Sequence, residues 1–399
     1  MTPKVRRLSH SQPRKEEPMM KRCLALMLLL TLLLTACAQP TEDTPSSSGK
    51  TEASSTATLP EDSQASQPTQ TTGQTEPSQP KPSTAPVVPM KYQNPLTGEP
   101  MAEPYLGRPM AVMLNNIKAA MPQHGVSQAD ILYEVLAEGG ITRCMGVFSD
   151  ISQVEKVGSV RSARKYFVEL SQGYNALYVH YGTSNEAKQY IRNQGIPDLD
   201  GMYGEHYFPQ DKDRLQAGYS AEHTRFSSGQ KLLSYAKEKK YATSYSETPT
   251  YQMAFDDDKV IVGETVQKIT VYFNQGGKPG SYTKSTTLTY DANAKTYLAA
   301  QHGGNYIDGN TKETVSFRNV VVLRARTSQQ SGSSLMTIQT TGTGTGYFSC
   351  NGQLVPIKWS RASVNDPFTY TLENGNPVTF GVGSTYVAVV PTNATVNYQ

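Results

Sequence analysis

Cysteine, histidine and tryptophan are scarce. The 399 residues hold four Cys, six His and one Trp, and each shortage closes off a class of function. Cys23 and Cys37 fall in or just after an N-terminal apolar run, so a folded body has only Cys144 and Cys350, about two hundred residues apart. Two such cysteines make no disulfide framework, and each sits inside an apolar, strand-like run, which reads as a buried free thiol. No CxxC or HExxH occurs, and the histidines beyond His10 are scattered singly from His124 to His302. No metal site is indicated, and no cofactor is implied. Charged residues are only 18% of the chain, which excludes a coiled coil. The net charge of +3 misleads, because seven Lys/Arg against two Glu lie in residues 1–22 and the rest of the chain is slightly acidic. Such a body is a poor polyanion binder as a whole, so no nucleic-acid partner is expected.

The one long apolar run, Cys23 to Leu34, has twelve residues and is too short to span a bilayer comfortably. It follows Lys21-Arg22 and ends in Leu34-Thr35-Ala36-Cys37, the layout of a secretory signal. The last four residues resemble a bacterial lipobox, which implies a diacylated Cys37 as the mature N-terminus. Two acyl chains anchor stably where one binds marginally. The body is therefore expected at the extracytoplasmic face of the bacterial cell membrane. Residues 1–18 read as an over-called start before Met19 or Met20, so residues 1–37 are assigned to that start plus the signal. Residues 38–90 contain no Phe, Tyr or Trp and are rich in Ser, Thr, Pro and Gln. They cannot bury enough apolar surface to order themselves and read as a disordered tether with a reach of roughly 40 Å.

From Arg108 onward, short apolar runs at Met110–Leu114, Asp130–Leu136, Ile141–Phe148 and Ala176–Tyr181 alternate with helical patterns. Ala163, Tyr166, Phe167 and Leu170 follow i, i+3, i+4, i+7, which predicts a helix over Arg161–Gln172. Further helices are expected over Glu186–Asn193, ending at Gly195, and over Gly229–Lys240. After Tyr251 helical periodicity vanishes and short strands recur between turn signals such as Asn351-Gly352 and Asn374-Gly375. The fold class is an α+β or α/β N-terminal domain over 91–250, followed by a smaller all-β C-terminal domain over 251–399. The run Thr341-Gly342-Thr343-Gly344-Thr345-Gly346 lacks the ending of a phosphate-binding loop and reads as a flexible turn.

Charges stand where an apolar residue is expected. Glu134 interrupts Leu132, Glu134, Leu136, and Arg143 interrupts Ile141, Arg143, Met145. A two-residue turn at Gly139-Gly140 is expected, which puts both on one face of a hairpin, within reach of an ion pair. A three-residue loop over Glu138–Gly140 would put them on opposite faces. Arg161, Arg164 and Lys165 would form a stripe at a helix start, whose dipole disfavours cations unless an anion joins them. A phosphate or carboxylate ligand is the matching chemistry.

Together Asn94-Pro95-Leu96-Thr97-Gly98, Arg108-Pro109-Met110, Asn115-Asn116, Pro122-Gln123-His124-Gly125, Ala129-Asp130-Ile131-Leu132-Tyr133-Glu134 and Val160-Arg161-Ser162-Ala163-Arg164 resemble the YerB-like lipoproteins. The resemblance implies paired N- and C-terminal domains of unknown function and brings no established activity. It departs at Cys144, where an aromatic is expected, and at Glu222-His223-Thr224. Candidate ligand-binding residues are Arg161, Arg164, Arg143, Glu134, Asn115, Asn116, His180 and His223. The expected function is binding of an anionic cell-wall glycan or a partner peptide in an Arg-lined cleft. The alternative is an envelope enzyme acting on phosphate-containing wall glycans, with His180 as general base. Carboxylates among the arginines would favour the enzyme.

Overall fold

The computed structural model describes residues 91–251, 253–259, 261–274 and 284–399. The signal segment with Cys37 and the tether 38–90 lie outside the described residues. The first half supplies β1 (Met110–Asn116), β2 (Ile131–Leu136), β3 (Thr142–Phe148), α1 (Lys165–Gln172), β4 (Leu177–His180), α2 (Asn185–Gln194), β5 (Asp198–Asp200) and α3 (Gly229–Glu238). The second half supplies β6 (Glu264–Thr265), β7 (Lys268–Tyr272), β8 (Ser285–Asp291), β9 (Thr296–Gln301), β10 (Asn319–Ala325), β11 (Thr327–Gln329), β12 (Met336–Ile338), β13 (Gly342–Cys350), β14 (Gln353–Arg361), β15 (Thr385–Pro391) and β16 (Val396–Tyr398). A mixed helix and strand half thus precedes a half built mainly of strands. Among the described residues no helix is long and apolar enough to cross a membrane.

One sheet runs through both halves in the order β6-β14-β13-β10-β15-β2-β3-β1-β4-β5. The joining strand is β15, apolar along nearly its whole length, as a strand with both faces covered must be. It lies parallel to β10 on one side and to β2 on the other, with Thr385 opposite Ile131 and Val389 opposite Val135. One face, carrying Val112, Leu132, Val320 and Tyr386, packs on a second, antiparallel sheet ordered β9-β8-β7-β16 through Ile269, Val271 and Leu288. The other face, carrying Met113, Tyr133, Val321 and Val387, packs on Phe167 and Leu170 of α1 and Ile191 of α2. The α2 boundaries follow from its caps. Ser184 Oγ accepts from Ala187 N at 3.2 Å, and Gly195 takes the left-handed conformation that ends the helix. Cys144 and Cys350 are free and buried.

Three expectations are corrected. The loop between β2 and β3 is the three-residue turn Glu138–Gly140, so Glu134 pairs with Cys144 and Val135 with Arg143. Glu134 and Arg143 therefore face opposite sides of the sheet and form no pair. The first helix begins at Lys165, not Arg161. Arg161 N donates to Met113 O and Ala163 N to Gly182 O, so residues 160–163 run as an extended strap whose backbone groups are already committed. The Thr-Gly run is the start of β13, not a turn. A Cβ at Gly344 would lie 2.5 Å from the Trp359 ring, and one at Gly346 would lie 1.9 Å from the Val322 carbonyl, so glycine lets this strand approach its neighbours.

Candidate functional site

Because β1, β2, β4, β5, β10 and β15 all run the same way, their carboxyl ends share one edge of the sheet. In open sheets with parallel strands, ligands gather beyond such an edge. Every candidate residue from the sequence lies on or beside it, but the structure sorts them into three groups.

Glu134 and Asn116 point toward the second sheet. Glu134 is 2% exposed and its carboxylate accepts from Asn116 Nδ2 at 2.9 Å, Thr142 Oγ1 at 2.7 Å, Thr286 Oγ1 at 2.8 Å and Tyr386 Oη at 2.7 Å. Its counter-ion is Lys284, with Nζ 2.8 Å from Oε1. Burial alone would raise this carboxyl, but Lys284 and the hydroxyl donors hold it below its ordinary value. Asn116 and Glu134 thus belong to a sealed lock between the two sheets rather than to an open cleft.

Arg143, Arg161, Arg164, Asn115 and His223 do come together, on the opposite face. Arg143 donates through Nη1 to Ser162 O at 2.8 Å and through Nη2 to the Glu138 carboxylate, which Arg164 also contacts. Arg161 Nη1 is 3.0 Å from Glu222 Oε2. Burial, reinforced by the positive charges of Arg164 and Arg161 and opposed by Glu138, pushes the Arg143 guanidinium down to about 10. Burial opposes ionisation of Glu138 and Glu222, yet the arginines hold both carboxyls below their ordinary value. Asn115 Nδ2 lies 3.0 Å from His223 Nδ1, and burial, opposed by Glu222 and aided by Arg161 and Arg214, lowers that imidazole. Among the described residues, buried Arg161 Nε has no hydrogen-bond partner.

His180 stands apart, in a cavity of about 320 Å³ lined also by Thr183, Lys188, Arg192, Asp198 and Asp200. Its Nε2 is 2.9 Å from Asp198 Oδ2 and its Nδ1 2.8 Å from Gly182 O. Both nitrogens therefore face protein oxygens and neither is turned to the cavity, which argues against the general-base role. The arginine cluster and the His180 cavity are joined by backbone, since Ala163 in the arginine strap bridges Thr183 in the loop after β4.

Sequence reasoning missed Glu138, Glu222, Lys284, Asp198 and Asp200. Only Asp198-Leu199-Asp200 carried a local signal, two acids on one face of a short strand. The others are read only from long-range contacts.

Residues 96–242 match the model described as "Protein of unknown function (DUF3048) N-terminal domain", and residues 269–387 match the corresponding C-terminal domain. The chain is 27% identical over 295 residues to "Putative lipoprotein YerB" of Bacillus subtilis (strain 168), covering 70% of this chain and 80% of that protein. The crystal structure of the YerB protein from Bacillus subtilis superposes with a TM-score of 0.67 at 27% identity, covering 76% of this chain and 99% of that one.

Proposed function

This chain belongs to the DUF3048 family, with both of its domains, and from that premise we propose that it is a lipid-anchored extracytoplasmic lipoprotein whose arginine cluster binds an anionic cell-wall component or partner peptide. Cys37 carries the lipid, and residues 38–90 hold the body away from the membrane. The relative's description as a lipoprotein supports the anchor, as does the Leu34-Thr35-Ala36-Cys37 sequence. Metabolic labelling with an alkyne fatty acid is expected to tag the wild type and miss Cys37→Ala. Equal labelling of the two would overturn the anchor.

The observation that carries the binding reading is the buried Nε of Arg161, unpartnered among the described residues, in a group where three guanidiniums meet the carboxylates of Glu138 and Glu222. A buried donor without an acceptor is costly, and an anionic oxygen would satisfy it with a charge-assisted bond. Glu138 and Glu222 do lie among the arginines, the feature that would favour an enzyme. Both are held ionised, however, and a carboxyl kept below its ordinary value is a poor general acid at neutral pH. Binding is therefore the better-supported reading. Arg161 pairs with a Glu222 side chain that is 55% exposed, so Arg161→Ala is expected to shift stability by only about 0.5 kcal/mol. It should weaken binding of muropeptides to the full chain about tenfold or more, as loss of a charge-assisted contact implies. Undiminished affinity in calorimetric titration would sink the arginine site.

A further inference from the structure

The Thr-Gly strand that the binding reading leaves unused borders a second, more open site on the same carboxyl edge. Arg324, near the end of β10, and Thr392, just beyond β15, flank a cavity of about 750 Å³ whose floor is the start of β13. A second cavity of about 420 Å³ begins at Lys165 and Glu169 of α1 and runs past β11 and β12. The two share Arg326, Gln339 and Thr341, so they adjoin there and together make a groove that crosses the carboxyl edge from the α1 face to the Arg324 face.

Its charges are spaced along its length. Lys165 stands at one end, Arg326 in the shared middle and Arg324 at the other end. Glu169 is the single acidic residue of the two linings, and it is committed, with Oε2 accepting from Thr340 Oγ1 at 2.6 Å and Oε1 lying 3.4 Å from Lys165 Nζ. Arg324 is held in place, donating to Thr392 O at 3.0 Å and Ala394 O at 2.7 Å with its guanidinium over the Tyr347 ring. Arg326 is exposed and lines both cavities, and its Nε donates to Gln339 Oε1 at 3.2 Å. On β13 the alternation of Thr and Gly has a consequence. Successive residues of a strand face opposite sides, so the glycines sit against Trp359 and the sheet while Thr343 and Thr345 are exposed on the other side. The groove thus offers cations at intervals with hydroxyls between them.

We propose that this groove binds a linear chain of polyols or sugars joined through phosphodiesters. Repeating anions match the spaced Lys165, Arg326 and Arg324, which a single phosphate would not engage together, and the polyol hydroxyls match the threonines. The proposal does not rest on the Arg161 cluster, which lies in a different part of the edge.

The test is titration of the full chain with a short glycerol phosphate oligomer, with inorganic phosphate and uncharged dextran as comparison probes. The oligomer is expected to bind, at least about tenfold more tightly than inorganic phosphate, and dextran is expected not to bind. Arg326→Ala and Lys165→Gln should each weaken the oligomer about tenfold and flatten its salt dependence, with thermal melts confirming folding. Exposed Lys237 on α3 supplies the control for general electrostatic attraction, and Lys237→Glu should have little effect. Unchanged affinity in the folded Arg326→Ala/Lys165→Gln variant would overturn the proposal. So would dextran binding as well as the oligomer, inorganic phosphate binding as tightly, or an equal loss in Lys237→Glu.

Discussion

Replacing Lys284 by methionine is expected to destabilise the protein by about 3–5 kcal/mol, the usual consequence of stripping a buried carboxylate of its counter-ion. Lys284 and Glu134 are each 2% exposed and lie on different sheets, β2 contributing the acid and the residue just before β8 the ammonium. The methionine fills similar volume, so the loss reports charge rather than a cavity. Four neutral donors would remain on Glu134, from Asn116, Thr142, Thr286 and Tyr386, and they soften the penalty without removing it. The pH dependence should change sign. In the wild type the Glu134 carboxyl is held below its ordinary value, so its contribution is fully present above the unfolded carboxyl value of about 4.3 and is lost as pH falls through the folded value. Without Lys284 burial dominates and the folded carboxyl rises, so the variant loses stability as pH climbs from about 4 to 7. Urea unfolding of both proteins across that range would show the gap widening toward neutrality. Glu134→Gln/Lys284→Met should recover at least about 1 kcal/mol over the single variant, because no buried charge is left unpaired. A double variant as unstable as the single one would assign the loss to packing.

The local elements were legible because their signals are local. The apolar face from Tyr166 to Leu170, the stop at Gly195 and the alternation along β7 and β14 each lie within a few residues. Register was not legible, because Gly139 and Gly140 both adopt positive φ and are equally suited to a two-residue turn. What adds Glu138 to the loop is its carboxylate, drawn to Arg143 and to Arg164 twenty-six residues away. The start of α1 failed for a similar reason, since backbone bonds to Met113 and Gly182 claim the strap before the helix can extend into it. The same holds for the site. Glu134 and Arg143 advertised themselves as charges in apolar rows, and both proved to be anchored by partners. Lys284 carried no mark in Tyr282-Thr283-Lys284-Ser285, and nothing local announces that β15 slots beside β2.

Glu138→Ala is expected to destabilise the protein by about 2–4 kcal/mol, somewhat less than the Lys284 change because the Glu138 side chain is 22% exposed and water can reach the gap. The carboxylate stands between two guanidiniums, and without it Arg143, only 4% exposed at its side chain, faces Arg164 with no intervening negative charge. Glu138 is held below its ordinary value, so its contribution is present above about 4.3 and disappears as pH falls through the folded value. The difference between wild type and variant should therefore shrink on acidification. This variant also tests whether the arginines are adapted to anions or merely to their own glutamate. Removing the side chain leaves room where its carboxylate was, and inorganic phosphate offers the same bidentate acceptor geometry. If the cluster accepts external anions, phosphate at a hundred times its dissociation constant should restore about 2.7 kcal/mol to Glu138→Ala and much less to the wild type, whose site is already filled. Thermal melts in phosphate and in chloride at matched ionic strength separate this specific rescue from general screening. A variant no better protected by phosphate than by chloride would mean that Arg143 and Arg164 are structural, and would confine any anion binding in this cluster to Arg161.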